Sequence, residues 1–544
     1  MNAPVRILIN YRFTHLGRRA RCRPHSLGRL AIPFLIALIA LLPAAAQAQA
    51  AVQAWAQRYA GPGSYDDCPR VVAVDSDGNV FVVGTDGDTD GYGRFATIKY
   101  SSKGVPLWIN RYPGPGSEAS PYSAAVDADG SVFVTGYCAT PASCPLAYDY
   151  VTIKYSSKGM PLWTNRYSEP GYNRAFAYSV AVNPSGDVFV TGSARGTNGY
   201  DHYATLKYSN AGEPVWTNCY HGPGKAHDGA AAVVVDAKGN VLVTGASLGT
   251  HGDYEYATIK YSSAGVPLWT NRYHWPGNDA SPSSLAVDPG GNVVVTGTAI
   301  AGSLGIGTFA TIKCSSAGVL LWTNAYADES SYGFAYSVAV DADGNAFVTG
   351  LSWGRHGGDY NQDYATIKYS GAGIALWTNR YNGPGNHNDT SRALAVDASG
   401  NAYVTGGSAG DYATLKYSSA GVPLWTNRYS SGAALALAVD ACGNVYVTGC
   451  SPGSGYGGDF VTVKYVTPPV ITNTVLAGTN LVLAGTVGSE GGTCYVLAST
   501  NMAEPMTNWE RAATNTFAAA GGSFNVTNAL DPARPFQYFR LEVP

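Results

Sequence analysis

The chain is 544 residues long, 45% hydrophobic and 13% charged, with a formal net charge of −3. Seven of its 34 basic residues and none of its 37 acids fall in the first 50 positions, which leaves 27 basic against 37 acidic residues, a net of −10, in the remainder. A surface of that sign excludes the basic footprint that nucleic acid requires and argues against an anionic membrane as partner.

Residues 1–50 read as a secretory signal peptide. Arg18, Arg19, Arg21, Arg23 and Arg29 precede an apolar run at 30–42, and Ala-Gln-Ala at 46–48 and 48–50 offers small-residue cleavage sites. The run is too short to span a bilayer comfortably, so no transmembrane segment is expected in the mature chain.

From residue 51 onward one unit of roughly 50 residues returns eight times. A tryptophan recurs at Trp55, Trp108, Trp163, Trp216, Trp269, Trp322, Trp377 and Trp425. A lysine recurs at Lys99, Lys154, Lys207, Lys260, Lys313, Lys368, Lys416 and Lys464. An acid before a turn recurs at Asp75, Asp127, Asp236, Asp288, Asp341, Asp397 and Asp440, with Asn183 in the remaining copy. Short β-branched and aromatic runs between Gly, Asn and Asp turns predict four strands per unit, A to D, at 337–341, 345–350, 364–369 and 376–381 in the clearest copy. The last copy lacks strand D, and Trp55-Ala-Gln-Arg-Tyr59 is a strand D with nothing before it. The two incomplete ends make one full blade by pairing, whereas an open solenoid would need polar caps. The predicted fold is all-β: an eight-bladed β-propeller over 51–466, followed by a small β-sandwich at 470–544.

Gly-Asn-Ala-Tyr-Val-Thr-Gly, Asp-Tyr-Ala-Thr-Leu-Lys-Tyr-Ser and Leu-Trp-Thr-Asn-Arg-Tyr within residues 400–429 resemble the SBBP family of bacterial β-propeller repeats. The resemblance implies a secreted, periplasmic or cell-surface bacterial protein. The family is named for seven blades, and eight copies depart from that label. Residues repeated in every blade are read as structural: the tryptophan as a cover for the blade seam, the lysine and the acid as an ion pair.

Departures from the repeat are the functional candidates. In the B–C loop of blade 1, Asp86, Asp88 and Asp90 with Gly91 and the carbonyl of Tyr92 have the 1-3-5-6-7 spacing that surrounds a hard cation, which points to calcium. Cys138 with Cys144, and Cys68 with Cys450, are expected to form disulfides. Cys219 and Cys314, inside strands, read as buried thiols. The B–C and D–A loops should share one face, and they hold all seven mature histidines. Trp275, Trp353, Tyr254, Tyr360, His251 and His274 are the candidate ligand-binding residues there, presented to an extracellular glycan or protein partner. No His-Glu-x-x-His or Cys-x-x-Cys and no evident nucleophile elbow marks an enzyme. The alternatives are a polysaccharide lyase or hydrolase with a His/carboxylate site on that face, and a purely structural surface spacer. After Pro468-Pro469 the repeat stops. Strand-like runs at 480–484, 494–498 and 538–543 resemble C-terminal modules of secreted bacterial proteins.

Overall fold

The computed structural model describes residues 50–544 apart from 64–65, 141–146, 170–173, 276–277, 302–305, 328–331, 357–358, 454–456, 469, 478–479, 487–492, 500–509, 517–522, 530–537 and 543–544. The expected signal peptide therefore lies outside the described residues. Among those described there is no helix long and apolar enough to cross a membrane.

The repeats form eight four-stranded antiparallel sheets. Blade 1 runs Cys68–Val74, Val80–Gly87, Gly93–Tyr100 and Pro106–Tyr112. Blades 2 to 7 occupy 119–167, 175–220, 229–273, 278–326, 333–381 and 389–429. Blade 8 takes three strands from Ala433–Val439, Val445–Pro452 and Gly458–Val466, and its outer strand is Val52–Tyr59 from the other end of the repeat array. In that closing pair Trp55 stands opposite Lys464, the same register in which Trp108 stands opposite Lys99. Each strand A touches strand A of the blades before and after it, and blade 8 returns to blade 1. The ring is therefore closed, with strand A innermost and strand D outermost.

Strands B and C are buried along nearly their whole length, for example Val80, Phe81, Val82 and Val83 against Ala96 and Ile98. Each apolar cluster joins neighbouring blades: Phe133 and Tyr150 of blade 2 pack with Val188, Val190 and Leu206 of blade 3. At about 25 cal/mol per Å² this apolar burial is the main stabilising term.

At the face of the A–B and C–D turns, one acceptor recurs at each seam. The indole N–H of Trp55, Trp108, Trp163, Trp216, Trp269, Trp322 and Trp377 donates at 3.0–3.2 Å to a carbonyl in the C–D turn of the next blade. In six of these seams the lysine on strand C donates to that same carbonyl. The indole also lies on the turn glycine. A Cβ at Gly318, which has φ +82°, would stand 2.7 Å from Trp269 Cδ2. That contact needs both a left-handed backbone and the absence of a side chain.

Behind the tryptophans, seven of the eight lysines pair with the turn acid at 2.8–3.8 Å. Blade 3 keeps the charge by exchange: Asn183 stands at the acid position, and Asp187, across the same turn, meets Lys207 at 2.9 Å. In blades 7 and 8 a tyrosine replaces the usual apolar residue of strand B, and the hydroxyls of Tyr403 and Tyr446 bond Asp397 and Asp440 at 2.9 Å. Lys416 is then 3.8 Å from Asp397. Burial lowers the pKa of both Lys416 and Lys464.

The C-terminal segment forms two three-stranded antiparallel sheets. One is Val470–Ala477, Asn480–Thr486 and Ser523–Ala529; the other is Glu510–Thr516, Thr493–Ser499 and Tyr538–Glu542.

The tryptophans are only half-buried, which lowers the cost of truncating one below that of a core aromatic. Trp269→Ala should cost about 2–4 kcal/mol, and Gly318→Ala more than about 1 kcal/mol. The double variant should cost less than the sum, because the added methyl no longer meets a ring; strict additivity in denaturant melts would refute the contact. Burial acts to raise the pKa values of Asp236, Asp288 and Asp341, but bonds from Asn240, Asn292 and Asn345 and from the paired lysines outweigh it and hold them below the ordinary 3.8. Their contribution is complete above that value and lost as pH falls through the lowered folded-state values. Denaturation midpoints should therefore hold down to about pH 5 and fall steeply below pH 4, and a midpoint that rises on acidification would contradict the pairing.

Candidate functional site

The B–C and D–A loops do share one face, tied by backbone hydrogen bonds such as Ala139 N–H to Glu118, Arg195 N–H to Arg174 and Trp353 N–H to Tyr332. In five blades an arginine on strand D reaches an acid at the start of strand C: Arg166–Asp149, Arg272–Glu255, Arg380–Asp363, Arg428–Asp411 and Arg58–Asp459. Arg111 of blade 1 instead reaches Asp86 on strand B at 2.6 Å.

That pairing absorbs the acidic hairpin of blade 1. Asp86 is fully buried, bonded by the Tyr59 hydroxyl at 2.7 Å and by Arg111. Arg94 lies 3.3 Å from Asp88 and pairs with Asp90, and the Tyr92 carbonyl accepts the Asp88 N–H within a tight turn. Asp86, Asp88 and Asp90 do not converge on a common point, and guanidinium groups already neutralise them. These residues do not fit a calcium ion.

The six candidate ligand-binding residues fall into two groups. Trp275, Tyr254, His251 and His274 belong to blade 4 and the connection after it; Trp353 and Tyr360 lie on a long hairpin of blade 6, Ala346–His356 and Asp359–Tyr369, which is strand where a loop was expected. Trp275 packs into the apolar cluster of the blade 4–5 seam with its ring edge-on to Tyr273, and Trp353 is edge-on to Tyr332. Neither is a freely presented flat ring. His251 stacks on His274, whose Nδ1 is 3.9 Å from Glu255. His202 is buried on strand C and is not a loop residue.

Cys68 and Cys450 are disulfide-bonded, their Cα atoms 5.2 Å apart across the closing seam. Cys138 is a buried thiol, and its expected partner Cys144 lies outside the described residues. Cys314 is buried, but Cys219 is exposed, contrary to its reading as a core thiol.

The pattern Gly-x-Ser-x-Gly, overlooked in the sequence, occurs four times, around Ser247, Ser352, Ser408 and Ser451. Each serine is buried at the end of strand B and followed by another strand, not by a helix. Ser247 and Ser408 accept from Arg272 and Arg428. None is a nucleophile elbow.

Sequence reasoning missed the inner rim. Every strand A carries a β-bulge at the same place, and the extra residue is Arg70, Tyr122, Tyr178, Ala231, Ser283, Tyr336, Arg392 or Leu435 in blades 1 to 8. One residue per blade, different in character, thus rings the mouth of the central channel. The Arg70 guanidinium lies over Tyr122 at 4.8 Å, Tyr122 meets Tyr178 edge-on at 5.3 Å, and Arg392 lies over Tyr336 at 4.8 Å. Where the bulge residue is the small Ala231, the rim opens into a cleft of about 420 Å³ lined by Tyr178, Asp201, His227 and Asp228. His227 Nδ1 is 3.0 Å from Asp201 Oδ2, and Arg195 pairs with the same carboxylate. Asp228 is spent on the backbone N–H groups of Gly222 and Leu248.

No family model and no curated protein matches this chain. Among solved structures it is similar to a periplasmic gluconolactonase of Pseudomonas aeruginosa at 14% identity, with 67% of this chain and 96% of that one covered and a TM-score of 0.40. It is similar to a protein from Lactobacillus plantarum at 12% identity, 73% and 99% coverage and 0.36. A PL25 ulvan lyase bound to -[GlcA(1-4)Rha3S]- matches at 12% identity, 62% and 94% coverage and 0.39. At such TM-scores these likenesses carry no argument about function, and the ring rests on its own strand pairing.

Arg111→Gln should cost about 2–4 kcal/mol by stranding the buried Asp86 charge. Millimolar calcium should leave the melting temperature of the mature chain unchanged; a rise of several degrees would show the carboxylates gathered around an ion.

Proposed function

We propose that this is an exported, SBBP-type propeller that binds a polysaccharide at the channel mouth on its loop face. The observation that carries the reading is the rim itself. Seven seams on the opposite face repeat one hydrogen-bond pattern, whereas the bulge position changes identity from blade to blade and gathers Arg70, Tyr122, Tyr178, Tyr336 and Arg392. Tyrosine offers a flat apolar face with a polar edge, which suits a sugar ring, and guanidinium groups suit its carboxylate or sulfate substituents. The basic and apolar leader at 1–50 supports export, and the two C-terminal sheets serve as an accessory module.

A second reading, as a lyase or hydrolase, is favoured by the His227–Asp201 pair in the cleft beside Tyr178, because an imidazole held against a carboxylate can transfer protons.

Retention in gels containing acidic or neutral polysaccharides tests both. Tyr122→Ala with Tyr178→Ala should weaken retention about tenfold or more, and Arg70→Ala with Arg392→Ala should weaken it for acidic polymers only. Undiminished retention in both variants sinks the rim as the binding site. Release of shortened or unsaturated oligosaccharides, abolished by His227→Ala, would turn the binder into an enzyme.

A further inference from the structure

Blade 3 departs from the Arg–acid pairing of the loop face in both partners at once. His202 stands where blades 2, 4, 6, 7 and 8 have Asp149, Glu255, Asp363, Asp411 and Asp459, and Cys219 stands where they have the arginine. An ion pair has been replaced by an imidazole and a thiol. The connection leaving blade 2 adds Glu169, with Oε1 3.4 Å from His202 Nε2 and 3.5 Å from Cys219 Sγ. No lysine or arginine pairs with Glu169 among the described residues.

His202 is 2% exposed, and neither of its ring nitrogens has a hydrogen-bond partner. A buried imidazole without partners is costly unless something else occupies it. We propose that Glu169, His202 and Cys219 bind a divalent transition-metal ion of the zinc class.

Zinc bonds of about 2.0–2.1 Å to nitrogen and oxygen and about 2.3 Å to sulfur, set tetrahedrally, place ligand atoms about 3.4–3.6 Å apart. The observed separations match, and all three ligand atoms lie within 4.8 Å of one another. A thiolate with imidazole and carboxylate selects this class over calcium or magnesium. The Tyr167 hydroxyl bonds Glu169 and orients it from outside, and the exposed His221, its ring 4.5 Å from that of His202, is within reach as a fourth ligand. Burial, with the Glu169 carboxylate second, raises the Cys219 thiol to about 11, a penalty that a bound cation reverses as the thiol proton leaves to solvent. The other His-rich cluster, His251, Glu255 and His274, lacks this character, because Arg272 already holds Glu255 at 2.8 Å. The site stands independently of the polysaccharide reading.

The test uses the untagged mature chain with its disulfide intact, titrated with Co²⁺ and then Zn²⁺. One equivalent of Co²⁺ should produce a thiolate-to-cobalt charge-transfer band, displaced by Zn²⁺, lost in Cys219→Ser and His202→Ala and kept in a His251→Ala, His274→Ala control. On the unaltered chain, Zn²⁺ should also slow alkylation of Cys219, read by peptide mapping, about tenfold or more, so the result does not depend on a variant's folding. Absence of the band, its persistence in Cys219→Ser, or an unchanged alkylation rate with Zn²⁺ would overturn the site.

Discussion

The ring depends on a carbonyl oxygen in each C–D turn that serves its neighbour. An indole and, at most seams, an ammonium group from the preceding blade both donate to it, and the glycine two residues on lets the indole lie flat on the turn. Because the acceptor belongs to one blade and the donors to another, the bond cannot form within an isolated repeat. Stability is therefore distributed in nearest-neighbour terms. The side chain of Asn110, and its counterpart in each later blade through Asn379, adds a parallel bond to the turn glycine carbonyl.

One seam shows how strictly this rule binds. Trp425 points into blade 8, whose strands C and D come from opposite ends of the repeat array, so no C–D turn exists to offer a carbonyl. Its indole N–H is buried without a partner, and Asn427 takes the Ala51 carbonyl instead. Burial of Trp425 against Ala51 and Tyr465 offsets part of that loss.

Much of this was legible in the sequence. Trp55 without its own A, B and C strands, and Tyr465 without a D strand, were enough to close the ring, and the recurring Lys and Asp do pair. What escaped was set by register and by neighbours. Strand A was read as beginning at Ser337, so Tyr336 fell into a loop; a bulge breaks the period of two and hides its own residue, although the Tyr-Ser dipeptides at 122, 178 and 336 were a usable signal. The acidic spacing of Asp86, Asp88 and Asp90 could not show that Arg94 and Arg111 reach back to them. His202 and Cys219 became a pair only once strands C and D were aligned.

The clasp of blade 8 also orders events in time. Strand Val52–Tyr59 is made first, yet its partner Gly458–Val466 is made last in the array, so the outer strand waits while seven blades assemble. Cys68 and Cys450, 382 positions apart, come within bonding range only after that meeting. The oxidation state of this one cystine thus distinguishes a finished circle from a string of blades that has not yet found its beginning.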